Sequence, residues 1–232
     1  MQDFKFPYKL DKDGPRGISV ESWLDKEKLG LVLNDFQNFC TVPLYGEVWN
    51  KNDNGYFFKR YREVVLPNTL KLLKRSRELG IRIIYTRLVS FQKDLSDIPG
   101  IARKALALDL KDTENKPYHL YDFEFDGQIS DEVKPEEPDI IISKTSSGVF
   151  NSSDIDNILR NNGISALIFT GGITDACLSS SVRGAYDRGY LCTVAEDACI
   201  SDIETDHKYA IRLLSKHYAW VTDTDTILNY LG

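Results

Sequence analysis

The chain has 232 residues, 42% hydrophobic and 28% charged, with a formal net charge of −6, which suits one large α/β domain with its own core. Acidity without a basic stripe argues against a nucleic-acid partner, since clusters such as Lys71-Leu-Leu-Lys-Arg-Ser-Arg77 alternate with leucines as a solvated helix face does. No apolar run reaches the roughly 18 residues of a membrane span. The polar start Met1-Gln-Asp-Phe-Lys is unlike a secretory signal, and four unevenly spaced cysteines make neither a disulfide framework nor a zinc ribbon, so a reduced cytoplasmic setting is expected.

The elements are expected in the following order. Residues 1–26 form an N-terminal extension packing on the domain. Leu29-Gly-Leu-Val-Leu-Asn-Asp35 is a buried strand ending on a carboxylate. The stretch Cys40 to Tyr61 is aromatic (Tyr45, Trp49, Tyr56, Phe57, Phe58) and suits a site wall and subunit packing equally well. Pro67 to Leu79 is a helix with leucines along one side, stopped by Gly80. Ile81 to Thr86 is the second strand. The long segment from Arg87 to Asp139 carries Pro99, Pro117, Pro135 and Pro138, with a short helix expected over Pro99 to Leu110. Loops of that length inside a domain are usually functional, and it is read as wall or lid.

Ile140 to Lys144 is the third strand, followed by a helix over Ser153 to Asn161 with Gly163 as its stop. Ser165-Ala-Leu-Ile-Phe-Thr170 runs into Gly171-Gly172 as the fourth strand and its turn. A helix capped by Thr174 or Asp175 then continues through Val182 and Ala185 to about Gly189. Tyr190 to Glu196 is the fifth strand, Thr205 to Lys216 a helix, and Ala219 to Val221 a last short strand. This alternation predicts a Rossmann-like three-layer α-β-α sandwich on a parallel sheet, with ligands bound beyond the carboxyl ends of its strands.

Cys177 is the leading candidate nucleophile. In the first turn of a helix, free N–H groups and the helix dipole favour a thiolate and can hold an oxyanion. Cys40, Cys192 and Cys199 read instead as small buried hydrophobes. Asp35 and Lys144 also fall at strand ends. Taken singly, such an Asp is usually a turn residue and such a Lys is solvated, but three chemically apt groups at three strand ends are a less ordinary coincidence.

Three segments then resemble the isochorismatase-like cysteine hydrolases. They are Leu31-Val-Leu-Asn-Asp35-Phe-Gln-Asn-Phe39, Lys144-Thr-Ser-Ser-Gly148-Val-Phe150-Asn-Ser-Ser153, and Gly171-Gly-Ile-Thr-Asp175-Ala-Cys177-Leu with Glu196-Asp-Ala198 further on. The resemblance implies a six-stranded parallel sheet and a Cys-Asp-Lys triad: Cys177 as nucleophile, Asp35 as base, Lys144 as its charged partner. It also implies a cis peptide before Ile173, with the N–H groups of Ile173 and Cys177 as oxyanion hole, and Phe39, Phe150 and Thr174 beside the substrate. The family's first motif has one more residue before its aromatic, a departure that shifts the register of Phe39 and Cys40.

The nicotinamidase branch of the family binds a metal through an Asp and two His near the second strand. Arg87-Leu-Val-Ser-Phe-Gln-Lys here has no His, and His119, His207 and His217 are scattered, so neither metal nor other cofactor is expected. Tyr85-Thr-Arg87, Asp94-Leu-Ser-Asp-Ile-Pro99 and Tyr186-Asp-Arg-Gly-Tyr190 resemble the biuret and ureidoacrylate hydrolases. That points to C–N hydrolysis of a small amide, ureido or carbamoyl compound, with Arg87 and His217 as further substrate-side candidates. An enol-ether hydrolase and a non-catalytic binding protein on the same fold are the alternatives. Homo-oligomerisation is expected from the resemblance alone.

Overall fold

The structure, a computed structural model, describes residues 20, 23–41, 55–105, 120–122 and 124–232. The expectations for Tyr45, Trp49 and His119, and for nearly all of the N-terminal extension, lie outside the described residues. Six strands, β1 (Leu29–Asn34), β2 (Arg82–Leu88), β3 (Ile140–Lys144), β4 (Ala166–Gly172), β5 (Leu191–Ile200) and β6 (Trp220–Thr222), form one sheet in the order β3-β2-β1-β4-β5-β6. Every pairing is parallel. The helices are α1 (Asn38–Thr41), α2 (Tyr56–Arg60), α3 (Leu66–Glu78), α4 (Gly100–Ala105), α5 (Ile155–Asn161), α6 (Ser179–Asp187), α7 (Glu204–His217) and α8 (Thr224–Leu231).

The near-continuous apolar runs of the strands arise because both faces of the sheet are covered. Side chains alternate between two cores. Leu31, Leu33, Ile83 and Tyr85 pack with Leu72 and Leu73 of α3 and Ile227 and Leu231 of α8. Val32, Ile84, Leu167 and Phe169 pack with α5, α6 and α7 through Leu159, Val182 and Leu214. This is the expected three-layer α-β-α sandwich. No helix among the described residues is long and apolar enough to cross a membrane.

Three local expectations need correction. The helix expected to start at Pro67 is already running: α2 leads into a π-turn at Tyr61–Val65 and then into α3. A proline just inside a helix is normally a start signal because it lacks an N–H. Here the π-turn sits directly before Pro67 and the Leu66 N–H bonds back to the Tyr61 carbonyl. The aromatic stretch before it therefore contributes Phe57 and Tyr61 to the core. Secondly, β5 runs on to Ile200, through a register shift against β4 between Phe169 and Gly171, so Cys199 lies inside the strand rather than at its exit. Thirdly, α8 follows β6 with Asp223 as its side-chain N-cap, beyond the last expected element.

The strand order reverses between β1 and β4, since β2 and β3 lie on one side and β5 and β6 on the other. A crevice beyond the carboxyl ends is expected at that switch point. Gly171 is required there: its φ is +96°, and a Cβ on it would stand 2.2 Å from the Asn34 carbonyl oxygen. The Asn34 amide donates to the Gly172 carbonyl at 2.6 Å, and the Gly172–Ile173 peptide is cis.

Candidate active site

Asp35 leaves β1 in the left-handed region, at φ 56°, a conformation Asp tolerates better than most side chains. Its N–H donates to the Thr86 carbonyl at 3.1 Å, which ties the turn to β2. The Thr86 hydroxyl donates to Oδ1 at 2.7 Å, and the Lys144 ammonium stands 2.8 Å from Oδ2. Lys144 comes from the end of β3, beyond the intervening β2, and its side chain is wholly shielded from solvent. A buried lysine persists only when paired. Burial works against its charge, but Asp35 foremost and then Cys177 outweigh that and raise its pKa above the ordinary lysine value. Its remaining contact is a bond donated to the Ser146 carbonyl at 3.2 Å.

Cys177 lines the same cavity as Asp35, and the charges of both Asp35 and Lys144 act on its thiol, so the three groups drawn from three strand ends meet. Two details differ from the sequence reading. The cysteine sits in a π-turn, Thr174–Leu178, that precedes α6, and Ile173 stands at the N-cap without a side-chain cap bond. The thiol is also not a preformed thiolate. Burial raises its pKa, Lys144 lowers it and Asp35 raises it again, leaving it at about 11. At neutral pH Cys177 is a thiol beside Asp35.

A cavity of about 370 Å³ opens over this triad. Asp35, Cys177 and Ile173 line it, as do Phe39 of α1 and the Thr145–Ser147 turn after β3. Ile98 with Ile101 and Ala102 of α4 supplies an apolar wall, the part of the long segment expected to cover the site. Residues 106–119 and 123 of that segment lie outside the described residues.

Of the five proposed substrate-side residues, only Phe39 reaches this cavity. Arg87 is spent on structure: it pairs with Asp122 at 2.6 Å and donates to Ser143 at 2.9 Å and Gln128 at 3.2 Å, clasping a loop to the sheet. Phe150 is buried in the core with its ring near Tyr190 and under Arg188. His217 ends α7, which starts just past β5 and runs 14 residues back along the sheet, about 20 Å away from the strand ends. Its ring rests edge-on against Tyr218.

Thr174 is fully buried, and its hydroxyl meets His207 Nδ1 at 3.0 Å. His207 Nε2 lies 2.8 Å from Glu196 Oε1, which also accepts from Arg60 at 2.9 Å. Glu196 can only accept, so a proton on Nε2 serves that contact and leaves Nδ1 to accept from Thr174, while the Arg60 guanidinium also stands 3.0 Å from Nε2. Burial lowers the His207 pKa, so the ring is neutral. Burial opposes the charge of Glu196, but bonds from His207 and Arg60 hold its carboxyl below the usual range. This chain braces the turn that carries Cys177.

Four residues of the site escaped the sequence reading. Thr86 had no signal beyond its place in a strand. Gln37 forms a structural knot, donating to the Leu88 and Gly127 carbonyls at 3.0 and 2.9 Å and accepting from the Leu88 N–H at 2.7 Å. Cys40, read as a core filler, lines the cavity. Asp202 lines it too, and the strand-end rule that singled out Asp35 would have flagged it had β5 been read to its full length. Among the described residues, no group of three or more His, Cys, Asp or Glu side chains is arranged to hold a metal ion.

Comparison with known proteins places this geometry. The isochorismatase domain matches residues 30–226. The chain belongs to that family. A ureidoacrylate amidohydrolase of Acinetobacter baylyi is 26% identical over 214 residues, covering 89% of this chain and 84% of that protein. One from Yersinia enterocolitica is 34% identical over 110 residues, 47% of this chain and 48% of its own length. Two isochorismatase-like folds among solved structures are a cysteine hydrolase from Pseudomonas syringae and an N-carbamoylsarcosine amidase from Thermoplasma acidophilum. The first superposes with a TM-score of 0.72 at 19% identity, covering 90% of this chain and 94% of that one. The second gives 0.64 at 20% identity, covering 85% and 97%.

Proposed function

We propose that this isochorismatase-family protein is a cysteine-dependent hydrolase that cleaves a C–N bond of a small linear amide, ureido or carbamoyl compound through a thioester. The observation that carries the proposal is the convergence of Cys177 with the Asp35–Lys144 ion pair at one edge of a cavity of about 370 Å³. The amidohydrolase and amidase names of the relatives support the C–N class.

The cycle needs no cofactor. With the thiol pKa at about 11, attack and deprotonation are coupled: Sγ bonds to the substrate carbonyl carbon while its proton passes to Asp35. The oxyanion is held by the N–H groups of Ile173 and Cys177. Asp35 returns the proton to the leaving nitrogen as the C–N bond breaks. It then takes a proton from water, whose oxygen attacks the thioester and frees the acid and the thiol. Lys144 stays charged throughout and keeps Asp35 oriented. An enol-ether reaction on a cyclic dicarboxylate fits less well, because the charged side chains lining the cavity among the described residues are all aspartates.

The test is ammonia release from a panel of small amides and ureides by the wild type and Cys177→Ala, with EDTA present. Turnover that survives EDTA and disappears in the variant is expected. Turnover by Cys177→Ala would overturn the mechanism.

A further inference from the structure

Among the described residues, the cavity wall contains acid without a matching base. Asp202, just past the end of β5, lines it, and its Oδ1 is shielded from solvent without a hydrogen-bond partner. Burial, with the carboxylates of Asp175 and Asp206, pushes Asp202 up to about 7, as happens to a carboxyl lacking a countercharge. Asp175 lines the cavity as well. Lys144 is committed to Asp35 and buried beneath the wall. Apart from Asp35 and the thiols of Cys40 and Cys177, the rest of the described lining is apolar or bears hydroxyls, and among the described residues no Arg, Lys or His faces the space.

A buried polar atom without a protein partner calls for an explanation, and a functional role is one of the few available. In a cavity of this size, that group is the far end of the substrate. We propose that Asp202 is a specificity-determining residue, selecting amides whose far end carries a nitrogen donor, an ammonium or ureido N–H, over those ending in a carboxylate. This rests on the reading of the cavity as the site of amide cleavage. A nitrogen donor meeting the cavity face of the Asp202 carboxylate would supply a positive partner. A carboxylate would face Asp202 and Asp175 without compensation, which is selection by repulsion as well as attraction.

The test uses three amides of one shape, X–CH2–CH2–CO–NH2, with X an ammonium (β-alaninamide), a methyl (butyramide) or a carboxylate (succinamate). Binding to Cys177→Ala is followed by ligand NMR titration above the pH at which Asp202 titrates, and turnover by the wild type is followed as ammonia release. β-Alaninamide is expected to bind tighter than succinamate by on the order of tenfold or more. Adding Asp202→Asn should bring the two within about threefold while leaving butyramide unchanged. Asp202→Ser serves if the amide variant fails to fold. In turnover the preference should reside in KM.

Equal or tighter binding of succinamate, no binding of any of the three, or a ratio untouched by Asp202 substitution would each overturn the inference. Binding in the expected order without ammonia release would uphold the selectivity and refute the proposed chemistry.

Discussion

Replacing Asp35 by Asn should abolish turnover and yet make Cys177 easier to alkylate. The carboxylate raises the thiol pKa and accepts its proton, while Lys144 lowers it. Asn is nearly isosteric, so the variant removes the raising charge and leaves the lowering one. From about 11 in the wild type, the pKa should fall by about one to two, the effect of a single charge at contact distance. The thiolate fraction at neutral pH then rises about ten- to a hundredfold. Nucleophilicity falls along with pKa, by a Brønsted exponent of about 0.4–0.5, so the net gain in alkylation rate is about three- to tenfold. Iodoacetamide labelling followed by mass spectrometry across a pH series measures it, with Cys177→Ala as the blank for Cys40. A rate in Asp35→Asn equal to or below that of the wild type would refute the charge balance argued here, as would a wild-type inflection near an ordinary thiol value.

Lys144→Met leaves the buried Asp35 carboxylate without its cation and should cost about 3–5 kcal/mol in denaturant unfolding; a loss below about 1 kcal/mol would mean that the pair is solvated. Lys144 has a raised pKa, so the stability it contributes is present below the unfolded lysine value and is lost as pH rises through its higher folded one; activity profiles at neutral pH should therefore not report its titration. His207 has a lowered pKa, so its neutral form contributes stability above the unfolded value, and that stability is lost as pH falls below about 6.5. A His207→Asn variant should flatten that limb of Tm against pH. Gly171→Ala would force a Cβ to within 2.2 Å of the Asn34 oxygen, at φ +96°. It should cost about 3 kcal/mol or more and lower activity even where it folds, because Asn34 precedes Asp35, the proposed base.

The strands were legible because each is a short apolar run that stops at a chemically distinct residue, as Leu29 to Asn34 stops at Asp35. Burial on both faces of a parallel sheet writes that signal directly into composition. Helix starts were less legible where the usual punctuation misled: Pro67 has the look of an N-terminus but follows a π-turn within a longer helical run. The triad could be nominated because strand ends converge in any parallel sheet, so the identity of Asp35, Lys144 and Cys177 was a local fact.

The substrate-side candidates fared differently. Arg87 and His217 were nominated by likeness to other chains, and the fold spends one on an ion pair with Asp122 and carries the other to the far end of α7. Which side chains face the cavity depends on how loops and helices distant in the chain pack together, and no local pattern encodes that. The same holds for charge. The sequence alone determined that a cysteine, an aspartate and a lysine stand at the ends of three strands. That the cysteine rests as a thiol, and that Asp202 waits without a partner, was decided only by the tertiary structure, because a pKa sums burial and charges contributed by segments far apart along the chain.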